Sequence, residues 1–281
     1  MNYQYIRVEK GSPKVGAEIS GVNLAGDMPP DVIREIRHAL VENGVVGFRD
    51  QKLSVDAQIS FAQNFGKLYV HPIADQATRR PEVLPIHADE NSTSAPGEAW
   101  HTDASCDLEP PLGSILALQE VPPVGGDTLF TSMFAAYDAL SDAMKSFLQG
   151  LTALHDGGQQ FRKRYWNNPN GVRTKFVEKD YPTNEHPVVC THPENGRKYL
   201  YVNSMYTTRI VQLTETESAA VLQFIYRHVE TPEFQYRFKW RRDSVLFWDN
   251  RSVQHKAIFD YFPHRRSGTR VQICGSRPRA F

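Results

Sequence analysis

Apolar positions recur at helical spacing in four stretches of the chain. In residues 29–44 five apolar side chains fall on one face of a helix: Val32, Ile33, Ile36, Leu40 and Val41. This stripe predicts an amphipathic helix, and Gly44 suits its C-terminal end. Further helices are predicted over residues 54–66, with Ser54 as N-cap, from Ser132 to Gln149, and from Thr214 to about Val229. Thr214 and Glu217 have the spacing of a capping box.

The other strong signals are short runs with strand-like composition. They cover residues 45–48, 115–118, 188–191, 199–202, 234–238, 245–248 and 271–274. Residues 192–198 join two of these runs through Asn195-Gly196, which predicts a β-hairpin. Because helices and strands do not alternate as βαβ units, the pattern favours a mainly β fold with flanking helices, either a β-sandwich or a jelly roll. We expect residues 1–281 to form a single domain.

Two segments show neither the helical nor the strand pattern. Residues 73–99 and 157–185 are rich in Pro, Gly, Asn and charged side chains, which predicts long loops. Long loops in a compact domain are typical of lids over a binding site. Surface loops without a functional role are the alternative interpretation.

Composition narrows the class of protein. The 281 residues are 40% hydrophobic, and 32 basic side chains balance 32 acidic ones. The sequence therefore lacks the charge excess of a protein that binds nucleic acid or an anionic membrane surface, and it contains no run long enough to span a bilayer. Three scattered cysteines and an N-terminal stretch without an apolar signal region predict a protein of the cytoplasm.

His101-Thr102-Asp103 is the candidate for a metal site. In an extended segment, residues i and i+2 point to the same side, so this histidine and this aspartate could hold one ion. Two histidines and one carboxylate that leave open positions are typical of non-haem Fe(II) oxygenases. His255 is the expected third ligand.

The same His-x-acid pattern occurs three more times, at His87-x-Asp89, His192-x-Glu194 and His228-x-Glu230. A chain of this composition contains about one such pattern by chance, so the motif alone carries little weight. His192 is expected in an exposed hairpin turn and His228 at the C-terminal end of a helix. His87 is the more serious alternative, because it precedes a polar loop.

Four ordered motifs make the case for His101 stronger. Trp100-His-Thr-Asp, Gly125-Gly-Asp-Thr128, Trp248-Asp-Asn-Arg-x-x-x-His255 and Arg265-Arg-x-x-x-Arg270 resemble those of the taurine and phenoxyacetate dioxygenase family. The similarity runs from Gly16 near the N-terminus to the last strand, and so covers nearly the whole chain. It implies a double-stranded β-helix, that is, a jelly roll, which binds Fe(II) and uses 2-oxoglutarate and O2.

The resemblance also implies residue roles. His101, Asp103 and His255 fall on the iron ligands, and Thr128 and Arg266 on the contacts to the distal carboxylate of 2-oxoglutarate. Arg270, His71 and Tyr206 fall on substrate contacts; Arg270 could instead help to hold 2-oxoglutarate or form an ion pair. The implied reaction oxidises a C–H bond of a small anionic substrate and releases succinate and CO2. Hydroxylation next to a heteroatom would lead to C–S, C–O or C–N cleavage.

Two departures bear on the substrate. The taurine branch has Tyr at the position of Ala74 and Asn at the position of Gly97, so two polar substrate contacts are missing. The sequence thus argues against taurine and favours a different or larger anionic molecule. A non-catalytic module that binds metal and 2-oxoglutarate, and a zinc hydrolase, remain alternatives at this stage. Relatives often assemble as dimers or tetramers, so a homodimer and a homotetramer are both open.

Overall fold

The computed structural model describes residues 3–71, 79–95, 97–159 and 181–280. Five α-helices lie in these ranges: α1 Pro30–Asn43, α2 Val55–Gln63, α3 Met133–Asp138, α4 Asp142–Leu148 and α5 Glu215–Val229. Among the described residues, no helix has the length and apolar character needed to cross a membrane.

Sixteen strands, numbered in chain order, also lie in the described part of the chain, together with a 3-10 helix at Pro232–Phe234 and a helical turn at residues 157–159. The strands are β1 Arg7–Lys10, β2 Ala17–Ser20, β3 Val45–Phe48, β4 Leu68–Tyr69, β5 Val83–Ala88, β6 Gly113–Glu120, β7 Thr128–Ser132, β8 Thr152–Asp156, β9 Thr183–Pro187, β10 Val189–Thr191, β11 Lys198–Leu200, β12 Thr207–Ile210, β13 Gln235–Phe238, β14 Ser244–Asp249, β15 Val253–Ala257 and β16 Arg266–Ile273.

A large sheet and a smaller one form the two main layers. The large sheet has the order β1-β2-β3-β14-β6-β16-β4, and β5 also pairs with β16. The smaller sheet has the order β13-β7-β15, while β12-β8-β9 and the hairpin β10-β11 complete the strand pairing described. This mainly β architecture with flanking helices agrees with the predicted fold class.

The central strands of the large sheet are buried on both faces. On β14, Val245 and Phe247 pack in a core with α1 and α2, whereas Leu246 and Trp248 pack toward the smaller sheet. Successive side chains of a strand point to opposite faces, so an unbroken apolar run supplies two cores. The inner core, between the two sheets, surrounds the metal-site candidates.

Three of the four predicted helices agree with the structure. Gly44 ends α1 at φ +70°, Ser54 caps α2 by accepting from the backbone N–H of Ala57, and Thr214 forms the predicted capping box with Glu217. The prediction over Ser132–Gln149 was wrong in extent, because two helices, α3 and α4, occupy it. Ser141 accepts a hydrogen bond from the backbone N–H of Met144, and this N-cap starts a new helix after α3 has ended.

The first predicted loop also contains a strand. Within residues 73–99, β5 pairs with β16 along its whole length, from Val83 opposite Val271 to Ala88 opposite Arg266. Pro85 concealed this strand from the pattern, but a proline is tolerated at a sheet edge, and among the described strands β5 pairs with β16 alone. In the second segment, β9 begins at Thr183, and residues 160–180 lie outside the described residues.

Candidate metal and co-substrate site

Backbone pairing brings two distant parts of the chain together at the site. The N–H of His101 donates to the carbonyl of His255 at 3.1 Å, and the N–H of His255 donates to the carbonyl of His101 at 2.9 Å. His255 lies in the middle of β15, so this reciprocal pair attaches the His101 segment to the edge of the smaller sheet. The ring centroids of the two histidines are 4.1 Å apart.

The donor atoms of three side chains converge beside this pair. One oxygen of Asp103, Oδ1, lies 3.6 Å from Nε2 of His101 and 3.8 Å from Nε2 of His255. Ligand atoms of all three residues lie within 4.8 Å of one another, and all three residues are buried. Nδ1 of His101 lies 2.8 Å from the carbonyl of Ala99. Since a carbonyl can only accept, Nδ1 carries the proton and Nε2 presents a lone pair to the cluster, as a metal ligand requires.

Two neighbours hold Asp103, one through its main chain and the other through its carboxylate. The side chain of Asn250 accepts from the backbone N–H of Asp103 and donates to its carbonyl, both at 2.8 Å. Ser114 donates to Oδ2 of Asp103 at 2.7 Å, and Gln272 in turn donates to the Ser114 hydroxyl at 3.0 Å. These contacts leave Oδ1 facing the histidines. The pairing of His101 with Asp103 was predicted from the motif, but the roles of Asn250 and Ser114 were not.

Charge at the cluster suits a cation. Burial opposes ionisation of Asp103, but the charge of the neighbouring Arg270 guanidinium favours it, and the pKa of that carboxyl lies well below its usual range. Burial, reinforced by His101 and Arg270, holds the pKa of His255 well below its usual range, so its imidazole is neutral at pH 7. A carboxylate and a neutral imidazole are the protonation states in which these side chains bind metals. The buried donor set therefore fits a metal ion.

Arg270 lies at this cluster rather than away from it. Its Nη1 donates to Oδ1 of Asp103 at 2.9 Å, and its side chain is largely buried. Alternate residues of β16 share a face, so Arg270, which bonds the Asp103 carboxylate directly, and Gln272, which acts on it through Ser114, lie on the inner side of the large sheet.

A second polar group lies between the two sheets around Trp240. The Trp240 indole N–H donates to the hydroxyl of Thr128 at 3.0 Å, and the Arg266 guanidinium lies 5.6 Å from the Trp240 ring centroid. Arg266 is 6% exposed, and its Nε donates to the carbonyl of Gly126 at 3.2 Å. Within the described ranges, Arg266 has no ion pair, although burial makes an unpaired cation costly. A buried guanidinium without a counter-ion fits the distal carboxylate of 2-oxoglutarate.

The predicted substrate residues His71 and Tyr206 line one pocket. Ala104, directly after Asp103, also lines it, which puts the pocket beside the metal-site cluster. The remaining lining residues are Tyr69, Cys106, Asp107, Gly157, Tyr181 and Pro182. The Tyr69 hydroxyl donates to the Asp107 carboxylate. Three tyrosines and a histidine thus give the wall aromatic surface beside a few polar groups, as is common for small-molecule pockets.

Of the two positions that depart from the taurine branch, Ala74 and Gly97, the structure describes only Gly97. Ala74 lies outside the described residues. Gly97 has φ +88°, and a Cβ atom built on it would lie 3.0 Å from Cε1 of His101. Its carbonyl accepts from the N–H of Ala257 at 2.8 Å, so the backbone is held in this position. Glycine is therefore required here by backbone conformation and by the close approach of a metal-site histidine.

The other His-x-acid pairs lie away from the cluster. His87 is exposed on β5, and His228 bonds the carbonyl of Ala136. The prediction for His192 was wrong, because it is 1% exposed rather than in an exposed turn. Its Nε2 lies 3.1 Å from the buried carboxylate of Asp249, and this contact ties the hairpin β10-β11 to the end of β14.

Comparison with known proteins identifies the family of this chain. The sequence profile of the Taurine catabolism dioxygenase TauD, TfdA family matches residues 7–272. The chain belongs to this family. It is an Fe(II)- and 2-oxoglutarate-dependent dioxygenase, which confirms the predicted reaction class over the non-catalytic module and the zinc hydrolase.

Named relatives cover nearly the whole chain. An alpha-ketoglutarate-dependent sulfonate dioxygenase of Saccharomyces cerevisiae is 34% identical over 99% of this chain and 69% of its own length. An alkylsulfatase of Acinetobacter baylyi is 31% identical over 97% of this chain and 86% of its own. The crystal structure of AAD-2 with Mn(II) and N-oxalylglycine superposes with a TM-score of 0.79, at 26% identity, over 98% of this chain and 99% of that one.

Proposed function

We propose that His101, Asp103 and His255 hold the iron of this dioxygenase, and that Thr128 and Arg266 bind the distal carboxylate of 2-oxoglutarate. The observation that carries this assignment is the convergence of three buried donor side chains within 4.8 Å of one another. The buried guanidinium of Arg266, which has no ion pair among the described residues, supports the assignment of the 2-oxoglutarate contacts, because it provides the charge that a dicarboxylate needs.

The protein's own residues hold and shield the reacting groups. When bound, the iron and 2-oxoglutarate supply the activation of O2, and the co-substrate leaves as succinate and CO2. Asn250 holds the main chain of Asp103, Ser114 holds its carboxylate, and the Ala99 carbonyl fixes the tautomer of His101. The inner core, including Trp248 with its ring centroid 4.8 Å from that of His255, keeps bulk water from one side of the site.

For the substrate, we propose a sulfonate or a sulfate ester larger than taurine. Arg270 supports an anionic group beside the metal, because its Nη1 donates to Asp103 while its buried Nε has no hydrogen-bond partner among the described residues. The aromatic wall of the pocket supports an apolar substrate body, and the relatives include a sulfonate dioxygenase and an alkylsulfatase. Hydroxylation of the carbon next to the sulfur group would break the C–S or C–O bond, leaving an aldehyde and sulfite or sulfate.

Succinate release tests the activity directly. Protein loaded with Fe(II) and ascorbate is given 2-oxoglutarate and a panel of alkyl sulfonates, alkyl sulfate esters and phenoxy acids, in air and without oxygen. We expect oxygen-dependent succinate that rises with members of the first two classes, and sulfite or sulfate in matching amounts. Rates that rise only with phenoxy acids would overturn the sulfur-compound proposal and leave the reaction class intact.

Two variants test the residue assignments. Asp103→Ala should abolish Mn(II) binding measured by calorimetry, together with succinate release. Arg266→Ala should retain the metal but raise the Kd of 2-oxoglutarate on the order of 100-fold, since it removes the charged partner of a buried carboxylate. Unchanged 2-oxoglutarate binding in Arg266→Ala would move the carboxylate anchor elsewhere.

A single domain, cytoplasmic location and assembly as a homodimer or homotetramer stay predictions.

A further inference from the structure

Thr128 and Arg266 share one neighbour, Trp240, which the sequence motifs did not single out. Trp240 lies just beyond β13 and packs in the inner core, 9% exposed, with its ring 5.0 Å from that of Phe238. Its indole N–H reaches the Thr128 hydroxyl at 3.0 Å, and its ring lies beside the Arg266 guanidinium. One side chain thus contacts both members of the proposed carboxylate anchor.

The direction of the hydrogen bond decides what Trp240 does. An indole N–H can only donate, so the Thr128 oxygen must be the acceptor. The Thr128 hydroxyl has one proton, and that proton has no acceptor among the residues that the structure describes. Thr128 is 5% exposed, so bulk water does not satisfy this proton either. The indole therefore leaves the hydroxyl with its donor available and occupies one of its acceptor positions.

The ring of Trp240 acts on the second member of the anchor. Arg266 is buried, its Nε is occupied by the Gly126 carbonyl, and the Trp240 ring lies 5.6 Å from its Cζ. An aromatic ring near a guanidinium attracts the cation and limits its movement without using its N–H donors. The terminal N–H groups of Arg266 are thus held in place by the packing of its side chain. Among the described residues, no carboxylate pairs with them, so they are available to the co-substrate.

We propose that Trp240 is a positioning residue for 2-oxoglutarate, which keeps the Thr128 hydroxyl as a hydrogen-bond donor to the distal carboxylate and holds Arg266 beside it. The inference rests on the proposed roles of Thr128 and Arg266, and Trp240 itself need not touch the co-substrate. It predicts that the indole N–H matters for binding even though a phenyl ring could fill much of the same space.

Binding without turnover provides the test. Calorimetry with Mn(II)-loaded protein measures the Kd of 2-oxoglutarate for wild type, Trp240→Phe, Thr128→Val and the double variant. We expect Trp240→Phe to raise this Kd about five- to tenfold, the usual range for one hydrogen bond, with Mn(II) affinity unchanged. If Trp240 acts through Thr128, the double variant will bind 2-oxoglutarate no more weakly than Thr128→Val alone.

Phe238→Leu is the matched control, because it loosens the packing against Trp240 and leaves the indole hydrogen bond. It should lower the melting temperature and change the Kd less than twofold. The proposal is overturned if Trp240→Phe binds 2-oxoglutarate as wild type does, if the double variant shows the full product of both effects, or if Phe238→Leu weakens binding equally. A large effect of Arg266→Ala alongside any of these results would leave the proposed anchor intact and refute only the role of Trp240.

Discussion

Asn250 offers the sharpest test of how the metal-site carboxylate is held. Its side chain is 1% exposed and makes three hydrogen bonds to main-chain groups: with the N–H and the carbonyl of Asp103, both at 2.8 Å, and with the carbonyl of Pro111 at 3.1 Å. Asn250→Ala removes all three at once. Asp103 would then keep its side chain but lose the clamp on its backbone.

The expected loss of stability follows from these contacts. A buried polar group left without a partner costs about 1–3 kcal/mol, so three such groups, with partial relaxation, cost about 3–5 kcal/mol of unfolding free energy. Urea denaturation of metal-free protein measures this loss. Because Asp103 is no longer held, we also expect the Kd for Mn(II) to rise about 10- to 100-fold, the usual cost of losing a residue that orients a ligand.

A second asparagine serves as a control, to separate the loss of the Asp103 contacts from the general effect of an Asn→Ala substitution. Asn64 is exposed and bonds only carbonyls at the end of α2, at 3.0 and 3.1 Å. Asn64→Ala should cost less than about 1 kcal/mol and leave Mn(II) binding unchanged. The reasoning is refuted if Asn250→Ala loses less than about 1 kcal/mol, or if its Mn(II) affinity equals that of wild type.

Two further variants test other parts of the structure. Gly97→Ala should raise the Kd for Mn(II) about tenfold, because the new Cβ would press on His101. Gly196 is the control: it has φ +69° and open space around it, so Gly196→Ala should lower stability without changing Mn(II) binding. Equal Mn(II) affinity in the two variants would contradict this expectation. Burial alone would raise the pKa of Asp249, but Arg251 holds that pKa well below its usual range. The ion pair therefore stabilises the folded protein fully above the unfolded pKa of about 3.9, and this contribution is lost as the pH falls below that value. Asp249→Asn should therefore be several kcal/mol less stable than wild type at pH 7 in urea denaturation, with the gap narrowing below about pH 4; a gap that is constant with pH would refute the assignment.

Local chemistry in the sequence predicted much of the fold. Apolar stripes, the Ser54 and Thr214 caps and the Asn195-Gly196 turn depend on residues within a few positions of one another, and each is confirmed. The one helix break that was missed, at Ser141, involved a choice between continuing a helix and capping a new one. The sheet-edge strand β5 was missed because Pro85 resembles a loop residue until a partner strand is known.

The candidate site likewise contains features that the sequence predicted and features that depend on the tertiary structure. The sequence by itself determined the His101-x-Asp103 pair, because the alternation of an extended chain puts both side chains on one side, and the ordered motifs pointed to His255, Thr128, Arg266 and Arg270. Only the tertiary structure decided that His255 bonds the backbone of His101, that Asn250 and Ser114 hold Asp103, and that Trp240 contacts both anchor residues. These contacts join residues that are 11 to 154 positions apart along the chain. Such contacts depend on strand order and register, which the core between the two sheets sets and which no local pattern records.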